Sequence, residues 1–141
     1  MVAAAAQDIR RNPFSLVVSG EAGEYAEALE KIVGPVWLVT YRVRTDREVL
    51  QLVQAGRADA VVLDEAVTEL DVLRLLRMIR RVNQALLVVL LTGRSEPRWL
   101  QEALRLAAFS VVSKPLRLEE LLRQIHRMML RLDAYLRRAE F

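Results

Sequence analysis

The stretch Ala60-Val61-Val62-Leu63-Asp64 constrains the fold more than any other part of the chain. Four apolar residues, two of them adjacent valines, run straight into one carboxylate. That is the pattern of a strand buried on both faces and ending in a polar group at the carboxyl edge of a parallel sheet. Such a strand needs helices above and below it, and in open α/β sheets its carboxyl edge is where ligands and chemistry gather. Asp64 is therefore the first candidate site residue.

Four other apolar runs read as strands: Phe14 to Val18, Val36 to Val39, Leu86 to Leu91 and Phe109 to Val112. Helical periodicity fills the gaps between them. Glu24 to Val33 places Tyr25, Ala28, Leu29, Ile32 and Val33 on one face and stops at Gly34-Pro35. Thr45-Asp46-Arg47-Glu48 is a capping box opening a helix through Ala55, with Val49, Leu52 and Val53 inward. After a loop from Glu65 to Leu70, a helix from Asp71 carries Leu73, Leu76 and Ile79 inward and Arg74, Arg77, Arg80 and Arg81 outward. Ser95 is the expected cap of the next helix, with Pro97 in its first turn and Trp99, Leu100, Ala103 and Leu104 as its apolar stripe. The last helix starts near Arg117 and continues almost to the end of the chain. Residues 1–13 form a leader closed by Asn12-Pro13, and residues 14–141 form one domain. Five strands alternating with five helices imply parallel pairing through right-handed crossovers, a doubly wound α/β sandwich with helices on both faces.

With 141 residues the chain is long enough for one sizeable core and too short for two ordinary domains. The absence of cysteine excludes disulfides, thiolate catalysis and cysteine-bound metals, and His126 is the only histidine. His126 lies on an arginine-rich helix and is expected at the surface. The first residues lack the basic region of a signal peptide, and no apolar run is long enough to span a membrane, so a cytoplasmic location is the default. The net charge of +3 comes from arginines interspersed with Asp and Glu along helices. No aromatic-basic platform accompanies them, so solvated helix faces are expected and no nucleic-acid partner.

Asp64, Thr92 and Lys114 follow the third, fourth and fifth strands, so a parallel sheet brings a carboxylate, a hydroxyl and an ammonium to one edge. In element order, and in Val61-Val62-Leu63-Asp64, Leu90-Leu91-Thr92-Gly93 and Ser113-Lys114-Pro115, the chain resembles a response-regulator receiver domain of the CheY-like kind over roughly residues 14–130. The resemblance implies a flavodoxin-like sheet of order 2-1-3-4-5. It also implies that Asp64 accepts a phosphoryl group, that Thr92 binds and reports it, and that Lys114, before a cis-prolyl bond, pairs with it. Members of the family carry two acidic residues after the first strand that hold Mg2+ together with the acceptor. Here those positions are Ser19 and Gly20. A small dication that demands near-octahedral oxygen ligands normally needs one or two carboxylates, and Asp64 alone supplies one. Glu21 comes one position late and is expected to point outward. Whether Glu21 or Glu65 replaces the missing ligands is left open. The aromatic switch position holds Val111, with Phe109 two residues earlier and expected on the same face, and the usual Pro-Gly after the acceptor is Thr68-Glu69.

Two readings of Asp64 follow. In one, Asp64 and Lys114 are a structural pair in a divergent, phosphorylation-independent pseudo-receiver that acts by binding signalling proteins, with no cofactor and no enzymatic activity. In the other, a histidine kinase phosphorylates Asp64, and Mg2+ serves the site. Trp37 and Trp99 are expected to be packing residues. A small-molecule flavodoxin-like role ranks last, because Ser19-Gly20-Glu21-Ala22-Gly23 has neither the length nor the lysine of a phosphate loop. Leu118, Leu122, Ile125, Met129, Leu132 and Leu136 form a stripe along the last helix, and its second half, through Tyr135, needs a partner chain or the N-terminal leader to cover it, a second copy being the preferred expectation. The stretch after Pro115 is too short for a DNA-binding or enzymatic output domain, so any signal is expected to pass to another polypeptide.

Overall fold

The computed structural model describes residues 13–139, with side chains described as far as residue 133. The leader therefore lies almost wholly outside the described residues, as do the side chains of Tyr135 and Leu136. Strand β1 (Phe14–Ser19) is followed by two short helices, α1 (Gly20–Glu24) and α2 (Ala26–Val33), then β2 (Leu38–Val43) and α3 (Asp46–Gln54). The chain continues through β3 (Ala60–Asp64), a single 3-10 turn (Glu65–Val67), α4 (Val72–Val82), β4 (Leu87–Thr92), α5 (Pro97–Arg105), β5 (Ser110–Ser113) and α6 (Leu118–Ala139). The five strands are all parallel, in the order β2-β1-β3-β4-β5, so the doubly wound sheet is present in the expected order.

Successive residues on a strand point to opposite faces, and the core divides accordingly. Val17, Val61, Leu63, Val88 and Leu90 face one cluster with the inner faces of α3, α4 and α5. Leu16, Val18, Ala60, Val62, Val89 and Leu91 face the other, against α1, α2 and α6. All five residues of β3 are buried, as a central strand covered on both sides requires. Along α6, Leu121, Ile125 and Met128 are fully buried, while Leu118, Leu122, Met129 and Leu132 pack at the margin of the same cluster. His126 is exposed, as expected. Among the described residues no helix is long and apolar enough to cross a membrane.

Local chemistry departs from expectation in several places. β2 begins at Leu38, because Gly34 accepts hydrogen bonds from both Trp37 N and Leu38 N in a turn that leaves Val36 61% exposed. The helix expected from Glu24 starts at Gly20 and is broken at Tyr25, whose N–H bonds back to Ala22 O. The capping box at Thr45 forms, with Glu48 N donating to Thr45 Oγ1 at 3.1 Å. The cap of α5 is Glu96 rather than Ser95, and it makes no side-chain cap bond. Leu104 leaves the apolar stripe and is 61% exposed, whereas Trp99 and Ala103 are buried. Phe109 sits in a bend before β5, not on it. It packs on the α6 side under Arg127 and Arg131, each about 5 Å from its ring, while Val111 packs on the opposite side.

Arg80 turns inward instead of facing solvent. Its guanidinium donates to Leu86 O at 2.6 Å, Leu106 O at 3.0 Å and Ala107 O at 2.7 Å. One guanidinium fork thus ties together carbonyls at two segment ends, before β4 and after α5. Burial pulls the Arg80 pKa below its ordinary value.

Candidate functional site

The carboxyl edges of β1, β3, β4 and β5 bring Ser19, Asp64, Thr92 and Lys114 together. The residue Asp64 is 2% exposed. Lys114 Nζ donates to Asp64 Oδ1 at 2.6 Å, and Ala66 N donates to the same oxygen at 3.0 Å. Glu21 N donates to Oδ2 at 3.0 Å. Both carboxylate oxygens thus have fixed donors, and the charge is paired with an ammonium that is itself 22% exposed. Burial of this kind is tolerated because the ion is paired and its lone pairs are met.

Gly20 explains how the carboxylate comes to be covered. Its φ is +55°, and a Cβ built there would lie 2.3 Å from Asp64 Oδ2, 2.6 Å from Asp64 Cβ and 2.7 Å from Asp64 Cγ. Only glycine combines that left-handed conformation with so close an approach. A carboxylate side chain at position 20 is thereby excluded in this arrangement, since its first atom already overlaps Asp64. At position 19, Ser19 Oγ accepts from Asp64 N at 3.0 Å and donates to Val62 O at 3.5 Å. The hydroxyl stitches β1 to β3 at the place where a metal-binding acid was missed.

Glu21 points inward, contrary to the expectation from the turn. Leu116 N donates to Glu21 Oε2 at 3.0 Å, and Lys114 Nζ lies 3.8 Å from Oε1. Tyr25 Oη donates to Leu116 O at 2.9 Å, so α1 and its junction with α2 together hold the segment after the cis Lys114–Pro115 bond. Glu65 turns the other way. Thr92 Oγ1, fully buried, donates to Glu65 Oε1 and accepts from Arg94 N at 2.9 Å. Arg94 Nη1 lies 3.9 Å from Glu65 Oε2, and its guanidinium sits 5.2 Å over the Trp99 ring. Backbone hydrogen bonding at the start of α5, and then Arg94, holds the Glu96 carboxyl below its ordinary value.

Asp64 and Glu21 therefore share Lys114 and otherwise take separate donors, while Glu65 turns to Thr92 and Arg94. Among the described residues, no group of three or more His, Cys, Asp or Glu side chains is placed to hold a metal ion. The side chains present do not fit the octahedral oxygen shell of Mg2+, because Asp64 is capped by Gly20 and Lys114, Glu21 is tied to Leu116 N, and Glu65 is tied to Thr92. A cleft of about 630 Å³ opens beside the site, lined by Gly20, Glu21, Arg42, Arg44, Val67 and Lys114 among others. Asp64 lies at its floor but offers almost no surface to it.

A five-stranded parallel sheet of this order, with an aspartate, a threonine and a lysine at its carboxyl edge, defines a class. The chain belongs to the response regulator receiver domain family, whose model matches residues 21–126. Receiver domains are signalling modules of two-component systems and not classical enzymes. Over 85 residues the chain is 35% identical to the response regulator MprA of Mycolicibacterium vanbaalenii, covering 60% of this chain and 37% of that protein. The chain thus spans little more than a third of the length of that relative. Its fold is similar to a CheY-like receiver domain protein of Methanospirillum hungatei, with a TM-score of 0.74 at 13% identity over 88% of this chain and 99% of that one. A two-component response regulator of Clostridium difficile gives a TM-score of 0.70 at 18% identity over 84% of this chain and 98% of that one.

Of the interactions at the site, the inward turn of Glu21, the Glu65–Thr92 bond and the contact of Gly20 with Asp64 escape sequence reasoning. One signal for the last was present. A glycine where the family has an acid, directly after a buried strand, marks a close backbone approach as well as a lost ligand.

Proposed function

We propose that this chain is a divergent receiver domain that signals by binding other proteins without phosphorylation of Asp64. The observation that carries the reading is the cover on the carboxylate: Gly20 lies against it, and Lys114, Glu21 N and Ala66 N occupy its two oxygens. Phosphoryl transfer depends on in-line positioning and charge neutralisation around the nucleophilic oxygen, and little else. A carboxylate that is 2% exposed offers a phosphodonor no in-line approach, and without a companion acid to hold a cation only Lys114 is left to neutralise the transferred group. Asp64 and Lys114 serve instead as a structural pair joining β3 to the end of β5, and no Mg2+ is assigned to the site.

The partners on this reading are signalling proteins, a histidine kinase or a downstream target, and neither nucleic acid nor membrane. Pairing of α6 with a second copy is part of the same proposal and is supported by Leu130, which is 55% exposed on that helix. A monomeric mass at high concentration would count against that pairing. The competing reading, a working acceptor phosphorylated on Asp64, draws support from Lys114 and Thr92 at the same edge, but requires Gly20 to lift away. A magnesium titration followed through the backbone amides of residues 19–21, 64–66 and 114–116 separates the two. No saturable shift is expected at millimolar metal, and a saturable shift centred on Asp64 would sink the phosphorylation-independent reading.

A further inference from the structure

Asp64 and Glu65 are adjacent carboxylates that divide the edge between them. Asp64 takes Lys114, and Glu65 takes Thr92. The Thr92 hydroxyl has no capacity left for another anion through its proton, since that proton goes to Glu65 Oε1, while its lone pair receives Arg94 N. Glu65 also faces the Arg94 guanidinium, which in turn lies over Trp99. Trp99 is 6% exposed, and its indole N–H has no hydrogen-bond partner, so its place is fixed by packing under Arg94 and not by a bond of its own. One carboxylate in the 3-10 turn after β3 therefore anchors the connection between β4 and α5 together with the first turn of α5.

We propose that Glu65 is a built-in anion that keeps the β4–α5 connection permanently engaged. The surface made by Arg94, Glu96 and the start of α5 is then presented to a partner in one fixed form, with no phosphate required. The inference rests on the phosphorylation-independent reading and supplies its regulation: the edge is set by sequence and does not switch. A neutral or short residue at position 65 releases Thr92 to rotate, removes the anion facing Arg94 and loosens the cover over Trp99. A hydrogen bond to a charged group is among the stronger ones a side chain makes, so its loss is expected to be visible in local opening.

The test is amide hydrogen exchange, resolved by residue, on the full chain and its Glu65→Ala and Glu65→Gln variants. In Glu65→Ala the Arg94 amide still has Thr92 Oγ1 available, so faster exchange there reports that Glu65 was holding the hydroxyl in place. The expected result is a rise of about tenfold or more at Arg94 and at Leu100, the first α5 amide held by a helical bond, with Val62 and other β3 amides unchanged. Glu65→Gln, which keeps an acceptor and loses the charge, is expected to fall between the native chain and Glu65→Ala. Glu96→Gln removes the other carboxylate that meets Arg94, an exposed contact at 3.4 Å, and is expected to stay within about threefold of native. Arg94 protection within threefold of native in Glu65→Ala would overturn the proposal, as would an equal loss in β3, which would mean general destabilisation and no local anchor. A phosphodonor reaction run on the same native sample keeps the two ideas apart. A phosphoryl adduct there would remove the phosphorylation-independent reading whatever the exchange data gave.

Discussion

Replacing Gly20 with alanine tests the cover on Asp64 with a single methyl group. The backbone φ of +55° disfavours any residue with a Cβ by about 1–2 kcal/mol. The added carbon would meet Asp64 Oδ2 at 2.3 Å, a distance that no relaxation of the methyl itself can relieve. Either the α1 turn or the Asp64 side chain must move, and the bond from Glu21 N at 3.0 Å is the first to be lost. A hydrogen bond to a buried charged group is worth about 1.5–3 kcal/mol, so the two effects together predict a loss of about 2.5–5 kcal/mol. Urea unfolding measures it directly: the midpoint should fall by more than about 1 M with the slope unchanged. Gly20→Asp, which returns the family's acid to this position, should destabilise at least as much, because a second carboxylate is then forced against the first. A loss below about 1 kcal/mol for Gly20→Ala would refute the reasoning, since it would mean that the turn can leave Asp64 at little cost.

Further outcomes follow from the same contacts. Lys114→Met strands a buried carboxylate and should cost about 3–5 kcal/mol, most of which Asp64→Asn in the same chain should restore, as a double-mutant cycle of unfolding free energies would show. Arg80→Ala leaves the Leu86, Leu106 and Ala107 carbonyls without their donor and should cost about 2–4 kcal/mol in denaturant unfolding. Ala107 has a φ of 60°, and Ala107→Gly should therefore raise the melting temperature, by the equivalent of about 0.5–1 kcal/mol.

The fold was legible because the chain states it redundantly. β3 and β4 are continuous apolar runs, and the helices between them carry one-sided stripes, so sequence pattern and burial agree. The apolar pattern places β2 too early, because an edge strand is half exposed. Thr40 and Arg42 interrupt its apolar pattern around Tyr41, whereas the neighbouring Val36-Trp37 is continuously apolar, although it lies in a turn. Periodicity puts Arg80 on the outer face of its helix, because it records where a residue starts and not where a long side chain ends. At the edge of the sheet, Asp64, Thr92 and Lys114 could be located by their positions after strands. The partners of Glu21 and Glu65 could not, because these depend on the path of the turn after each strand. A positive φ at Gly20 tips Glu21 inward, and a single 3-10 turn carries Glu65 across to Thr92.

On the proposed reading Asp64 is sealed and binds no magnesium. The most direct measurement is the intact mass of the native chain after exposure to a small phosphodonor across a magnesium titration, beside an intact receiver domain that labels under the same conditions. A sealed Asp64 gives no phosphoryl adduct on this chain at any metal concentration. An adduct that grows with magnesium and disappears in Asp64→Asn would contradict it.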